Sequence, residues 1–183
     1  LWEGENIQVH IERVDSIGVL EAMEEEWRSL FHAGRHAHLA NSWPYVFASA
    51  ATRLSDRGWR VYAARNGTSL QTAMLGCRSH LKIGGVKIRI FEAGAEFVGD
   101  VLIDPAEGDV ALSELLSEVL VHEGVPILQF GQLTEPAFVA LRSCAERAGL
   151  GCTWGPAGYG YDWDATIDHD AMYRSLSAGR RQT

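Results

Sequence analysis

The sequence predicts a mixed α/β fold on a single sheet, and three observations predict it. Two hairpin signals, Asn66-Gly67 and Gly84-Gly85, separate strand-like runs in the middle of the chain. After them, Leu112, Leu115, Leu116, Val119 and Leu120 recur at the three-and-four spacing of an amphipathic helix. The apolar run VPILQF and a second helical pattern then follow. A meander followed by such crossings implies a mixed sheet with helices on both faces. The expected order is strand, helix, helix, three or four meandering strands, helix, strand, helix, strand.

Each element has its own signal. Ile7, Val9 and Ile11 alternate with polar residues, the period of a half-buried strand. Asp15 or Ser16 can cap a helix whose buried stripe is Leu20, Met23, Trp27, Leu30 and Phe31. Its acidic run EAMEEEW reads as a solvated face. Ser42 and Pro44 open a second helix, with Val46, Phe47, Ala50 and Leu54 inward. WRVYAAR, SLQTAMLGCRSHLKI, VKIRIFEAG and DVLIDP are the central strands. A helix runs from Val110, and VPILQF reads as a strand buried on both faces. EPAFVALRSCAERAGL is a helix with Phe138, Leu141, Ala145 and Ala148 inward, stopped by Gly149. GCTWG and YGYDWDA close the chain as one or two aromatic strands.

Bulk properties narrow the function classes. The 183 residues fit one domain with at most the first turn of another, and 46% hydrophobic content supports a sizeable core. A formal charge of −8 argues against a nucleic-acid partner, which needs a basic face. Cys77, Cys144 and Cys152 lack CxxC spacing and form an odd set, as expected of reduced, buried thiols in a cytoplasmic protein. No apolar run reaches the length of a membrane span. Leu1 at the start and MYRSLSAGRRQT at the end read as cut ends, giving a domain at 1–167 and a truncated linker or second domain at 168–183.

Three stretches carry a family resemblance: LANSWPYVFASA, KIRIFEAGAEFVGDVLIDP and MYRSLSAGRRQT. Together they resemble the N-terminal half of the CelD/BcsL-like acetyltransferases of cellulose biosynthesis, relatives of the FemAB-type tandem GNAT proteins. The resemblance covers nearly the whole chain through loose motifs. It implies a GNAT-like acyl-CoA N-acyltransferase fold, acetyl-CoA or another acyl-CoA as donor, and an amine or hydroxyl acceptor, small molecule or saccharide. It also implies a C-terminal GNAT half of the same protein as partner. Where the family often has Asp-Tyr, this chain has Glu96-Phe97, so a role for that tyrosine hydroxyl does not carry over.

GNAT enzymes seat the coenzyme pyrophosphate on a Gln/Arg-x-x-Gly-x-Gly/Ala loop at a helix N-terminus, where free amides and the helix dipole favour an anion. The corresponding loop here, residues 105–111, has one glycine, no preceding Arg or Gln at the required spacing, and two carboxylates, Glu107 and Asp109. Those carboxylates suit a bare helix terminus and repel a diphosphate. GNAT enzymes also often place a tyrosine acid about four residues before a Gly-Leu pair; here that position is Ala145. The expectation is a domain without its own catalysis, with the donor bound outside this segment.

The remaining candidates are weaker. Glu96 or Asp100 could serve as a general base if the domain is competent. Trp43, Tyr45 and Trp154 are candidate substrate contacts, and Trp154, Tyr159, Tyr161 and Trp163 could stack on sugars or form core. The last group motivates an alternative, a non-enzymatic interaction or saccharide-binding module. His32, His36 and His38 read as solvated loop residues rather than metal ligands.

Overall fold

The computed structural model describes residues 9–34, 38–98 and 101–155, with no side chain described for residues 95–98. The elements run β1 (Val9–Val14), α1 (Ile17–Ala22), α2 (Glu24–Ala33), α3 (Trp43–Ala48), β2 (Trp59–Asn66), β3 (Ser69–Ile83), β4 (Val86–Val98), β5 (Leu102–Ile103), α4 (Gly108–Glu123), β6 (Leu128–Gln132) and α5 (Glu135–Arg147). Among the described residues six strands form one sheet in the order β1-β2-β3-β4-β6, with β5 added beside β3. All pairs are antiparallel except β4 with β6. The predicted mixed sheet is therefore present.

Each face of the sheet has a core. Leu20, Trp27, Leu30, Trp43, Val46 and Leu54 from the first helices pack on Val61, Ala63, Ala73, Leu75 and Cys77. On the other face Leu112, Leu115, Leu116 and Val119 of α4 and Leu141, Cys144 and Ala145 of α5 cover Tyr62, Met74 and Phe91. Alternate residues of β2 and β3 thus serve opposite cores, which explains their near-continuous burial. Arg65, pairing with Glu26 and with Glu12 at 3.2 Å, ties β2 to α2 and β1. Burial alone would lower the Arg65 pKa, but the two carboxylates outweigh it and raise it.

Several expectations shift by local chemistry. The first helix is two, broken at Met23, whose amide bonds back to Leu20 at 3.0 Å. That break places Glu24, Glu25 and Glu26 in the first turn of α2, where the dipole favours them. Ser16 is the cap for α1, accepting from the Val19 amide. The first hairpin turns on Gly67-Thr68, with Asn66 still paired to Ser69. Gly67 supplies the positive φ of 58° there. Among the described residues β6 pairs only with β4 and is only partly buried, not covered on both faces as the apolar run suggested. On α5 the buried face is Ala137, Leu141, Cys144 and Ala145, and Phe138 lies at its border. Residues 151–155 carry no regular structure, and the rest of the expected aromatic strands lies outside the described residues. Cys77 and Cys144 are buried as expected, whereas Cys152 is exposed.

Candidate acyl-donor site

The turn that leads into α4 is built by one side chain. The Asp104 amide donates to the Gln71 carbonyl at 2.8 Å, fixing the end of β5 against β3. Pro105 turns the chain, and the Asp104 carboxylate then accepts from the amides of Ala106 at 2.8 Å and Glu107 at 3.0 Å. The Gly108 amide donates to the Asp104 carbonyl at 3.2 Å. An Asp before Pro favours this self-capping turn because its short carboxylate reaches amides two and three residues on. Glu107 occupies the cap position of α4 without bonding its own helix; it accepts instead from the Asn66 side chain at 3.1 Å.

Gly108 is explained by packing. A Cβ there would lie 2.6 Å from Ile103 Cγ2 and 3.1 Å from the Gln71 carbonyl oxygen, so α4 meets the sheet through this residue. The glycine that could admit a phosphate admits the β5 strand. Three amides that could face an anion are bonded to Asp104, and the turn also bears Glu107 and Asp109. These residues do not fit a diphosphate: it would have to displace one carboxylate and sit beside two more.

Beside this turn β4 departs from regular pairing. Ala93 faces Gly76 and Leu102 faces Ala73, so β3 spends Met74 and Leu75 where its partner spends residues 94–101. Against β6, pairing jumps from Ala93–Phe130 to Val98–Gln132, five residues against two. Gly94, at φ 87°, starts this arch. Glu96 belongs to the arch by its backbone, and Asp100 lies outside the described residues.

The other candidates are dispersed. Trp43 is 5% exposed and packs against Trp27 and Phe47 at ring-centroid distances of 6.2 and 5.5 Å, so it forms core and offers no free face to a substrate. Tyr45 is half-buried beside Arg53, whose guanidinium lies 5.7 Å from the ring centroid. Trp154 is 61% exposed, with Arg142 4.7 Å over its ring and Phe138 edge-on at 5.7 Å. Tyr159, Tyr161 and Trp163 lie outside the described residues. Ala145 is buried against α4, with neighbouring Cys144 donating to the Asp109 carbonyl at 3.3 Å. His38 caps the turn at 39–41 through its ring, His32 lies against Phe31, and His36 is outside the described residues. Among the described residues no group of three or more His, Cys, Asp or Glu could hold a metal.

A polar cluster escaped the sequence reading. At the C-terminal end of α4 the fully buried Glu123 carboxylate accepts from Tyr62 Oη and Arg78 Nε, both at 2.6 Å, with Arg60 Nε 3.8 Å away. Burial raises the Glu123 pKa, but the Tyr62 and Arg78 hydrogen bonds and the arginine charges outweigh it and hold it below the ordinary range. Burial, and next the Glu123 bond, push the Tyr62 phenol far up. Its signal was in the spacing: 112, 116, 119 and 123 share one helix stripe, so the buried face ends on a carboxylate. The cluster lies about 23 Å along α4 from the Asp104 turn and pins the helix to β2 and β3.

The architecture has known counterparts. The aminoglycoside N-acetyltransferase AAC(6')-Iy, in complex with a CoA bisubstrate analogue, is similar at TM-score 0.53 and 12% identity, over 85% of this chain and 99% of that one. The chain has the GNAT fold. An aminoglycoside acetyltransferase, HMB0005, from an uncultured soil metagenomic sample is similar at TM-score 0.52 and 14% identity, over 86% and 99%. No family model matches this sequence, and no curated protein matches it. No helix among the described residues is long and apolar enough to cross a membrane.

Proposed function

We propose that this chain is the acyltransferase-fold, non-catalytic half of a CelD-like protein, whose acyl-CoA is held by a second GNAT half. One observation carries the reading: the Asp104 carboxylate occupies the amides of Ala106 and Glu107. The buried Ala145, with no proton to give at the position of the tyrosine acid, supports it further. In this reading residues 1–167 are the domain, and residues 168–183 lead into the partner half, in the cytoplasm. The domain then helps to shape the site for an amine, hydroxyl or saccharide acceptor.

The test is calorimetric titration of this 183-residue chain by itself with acetyl-CoA and with CoA at neutral pH, beside an assay for thiol release with amine acceptors. No heat and no thiol release are expected. Micromolar binding would overturn the reading and turn attention to Glu96 and Asp100 as bases. A second reading, an interaction or saccharide-binding module, is favoured by the exposed Trp154 backed by Phe138 and Arg142. Glycan-array binding lost in Trp154→Ala would decide for it.

A further inference from the structure

We propose that the β3–β4 hairpin tip is a docking element for an anionic lipid surface. β2 pairs with β3 only as far as Cys77, and β6 pairs with β4 only from Phe91. Among the described residues, 78–90 therefore extend past the sheet as a two-stranded ribbon closed by Gly84 and Gly85, both at positive φ. Alternation gives the ribbon two unlike faces. One face carries His80 opposite Arg89 and Lys82 opposite Lys87. The other carries Leu81 opposite Ile88 and Ile83 opposite Val86. Ile83 and Val86, at the tip, are 53% and 63% exposed.

A purely structural ribbon would not choose this pattern. Like charges directly opposite one another on an antiparallel pair are destabilising, and an opposite-charge pair would guard the edges as well. No acidic residue occurs between Arg78 and Phe91, in a chain of net charge −8. No described residue pairs with Lys82, Lys87 or Arg89 by hydrogen bond or ion pair, whereas Arg78 is engaged by Glu123. Unpaired cations segregated in an acidic protein call for an anionic partner. The tip decides which: two exposed aliphatic side chains on a glycine turn, directly ahead of the lysines, suit shallow insertion between lipid headgroups that the lysines then contact. A nucleic-acid backbone would use the cations and leave Ile83 and Val86 in water. The tip is at the opposite end of β3 from Thr72 and the Asp104 turn, so docking leaves that end of the sheet open.

The test is co-sedimentation of the intact protein with phosphatidylserine-rich and with pure phosphatidylcholine vesicles, at low and high salt. Expected are binding to the anionic vesicles only, loss at high salt, and about a fivefold drop in partition for each of Lys82→Ala and Lys87→Ala. Ile83→Ser/Val86→Ser should abolish binding while circular dichroism stays unchanged. The proposal is overturned by no partition to anionic vesicles, by equal partition to neutral ones, or by partition that the lysine and tip variants leave intact. Tighter lysine-dependent, tip-independent binding to a labelled oligonucleotide duplex or an acidic polypeptide overturns it as well.

Discussion

Gly108 and Glu123 stand at the two ends of α4, and each has one reason for its identity. At Gly108 an added methyl meets both an Ile103 side-chain carbon and a strand carbonyl, and the carbonyl cannot move without breaking β3–β5 pairing. Gly108→Ala should therefore cost about 1–3 kcal/mol, read as a lower urea midpoint at constant slope. An unchanged midpoint would mean that this glycine is kept for something other than packing. Glu123 is a test by pH. Its folded pKa lies below its ordinary value of 4.5, so its contribution is complete above that value and is lost as pH falls through the folded pKa. Wild type should exceed Glu123→Gln in thermal midpoint at pH 7, and the gap should close on acidification below about pH 4.5. A gap that stayed constant to pH 3 would show that packing, not charge, is what Glu123 supplies.

Elements were legible where the local sequence carries its own reason. Ser16, Pro44, Gly84-Gly85 and Gly149 each satisfy a backbone demand within a few residues, and each marks a real boundary. The apolar stripe of α4 was equally plain, because three-and-four spacing admits one solution. What failed depends on partners far away in the chain. VPILQF is apolar enough for a central strand, but among the described residues only β4 pairs with it and its strand is only partly buried, which is a fact of topology. The sequence separates VKIRIFEAG from DVLIDP, but only register against two neighbours shows that the residues between them form an arch within one path along β3. In the candidate site, Asp104 before Pro105 is a turn sequence on its face, but that its carboxylate fills the amides of its own turn is visible only in the geometry. Thr134, the cap of α5, offers a check on how local these rules are. Its hydroxyl accepts from the Ala137 amide at 3.4 Å, so Thr134→Ala should cost about 1 kcal/mol, measured by urea unfolding. A loss several times larger would mean that Thr134 holds more than the end of its own helix.

At the scale of the molecule, the sheet separates two cores that share their strands but not their helices. Tyr62 and Met74 face α4 and α5, while Val61, Ala63, Ala73 and Leu75, alternating with them on the same strands, face α1, α2 and α3. The meander followed by helix crossings made two helix layers predictable, and strand alternation couples them: β2 and β3 cannot lose one layer and keep the strand geometry the other needs. The buried tryptophans report this coupling, because among the described residues Trp27, Trp43 and Trp59 belong to the first core and no tryptophan to the second. Leu115→Ala opens a cavity in the second core and should cost about 2–5 kcal/mol. If the strands carry the coupling, tryptophan fluorescence from the untouched core and the far-ultraviolet dichroism of the helices will shift to the same lower urea midpoint. A fluorescence transition left at the wild-type midpoint while the helical signal falls early would make the two layers separate folding units.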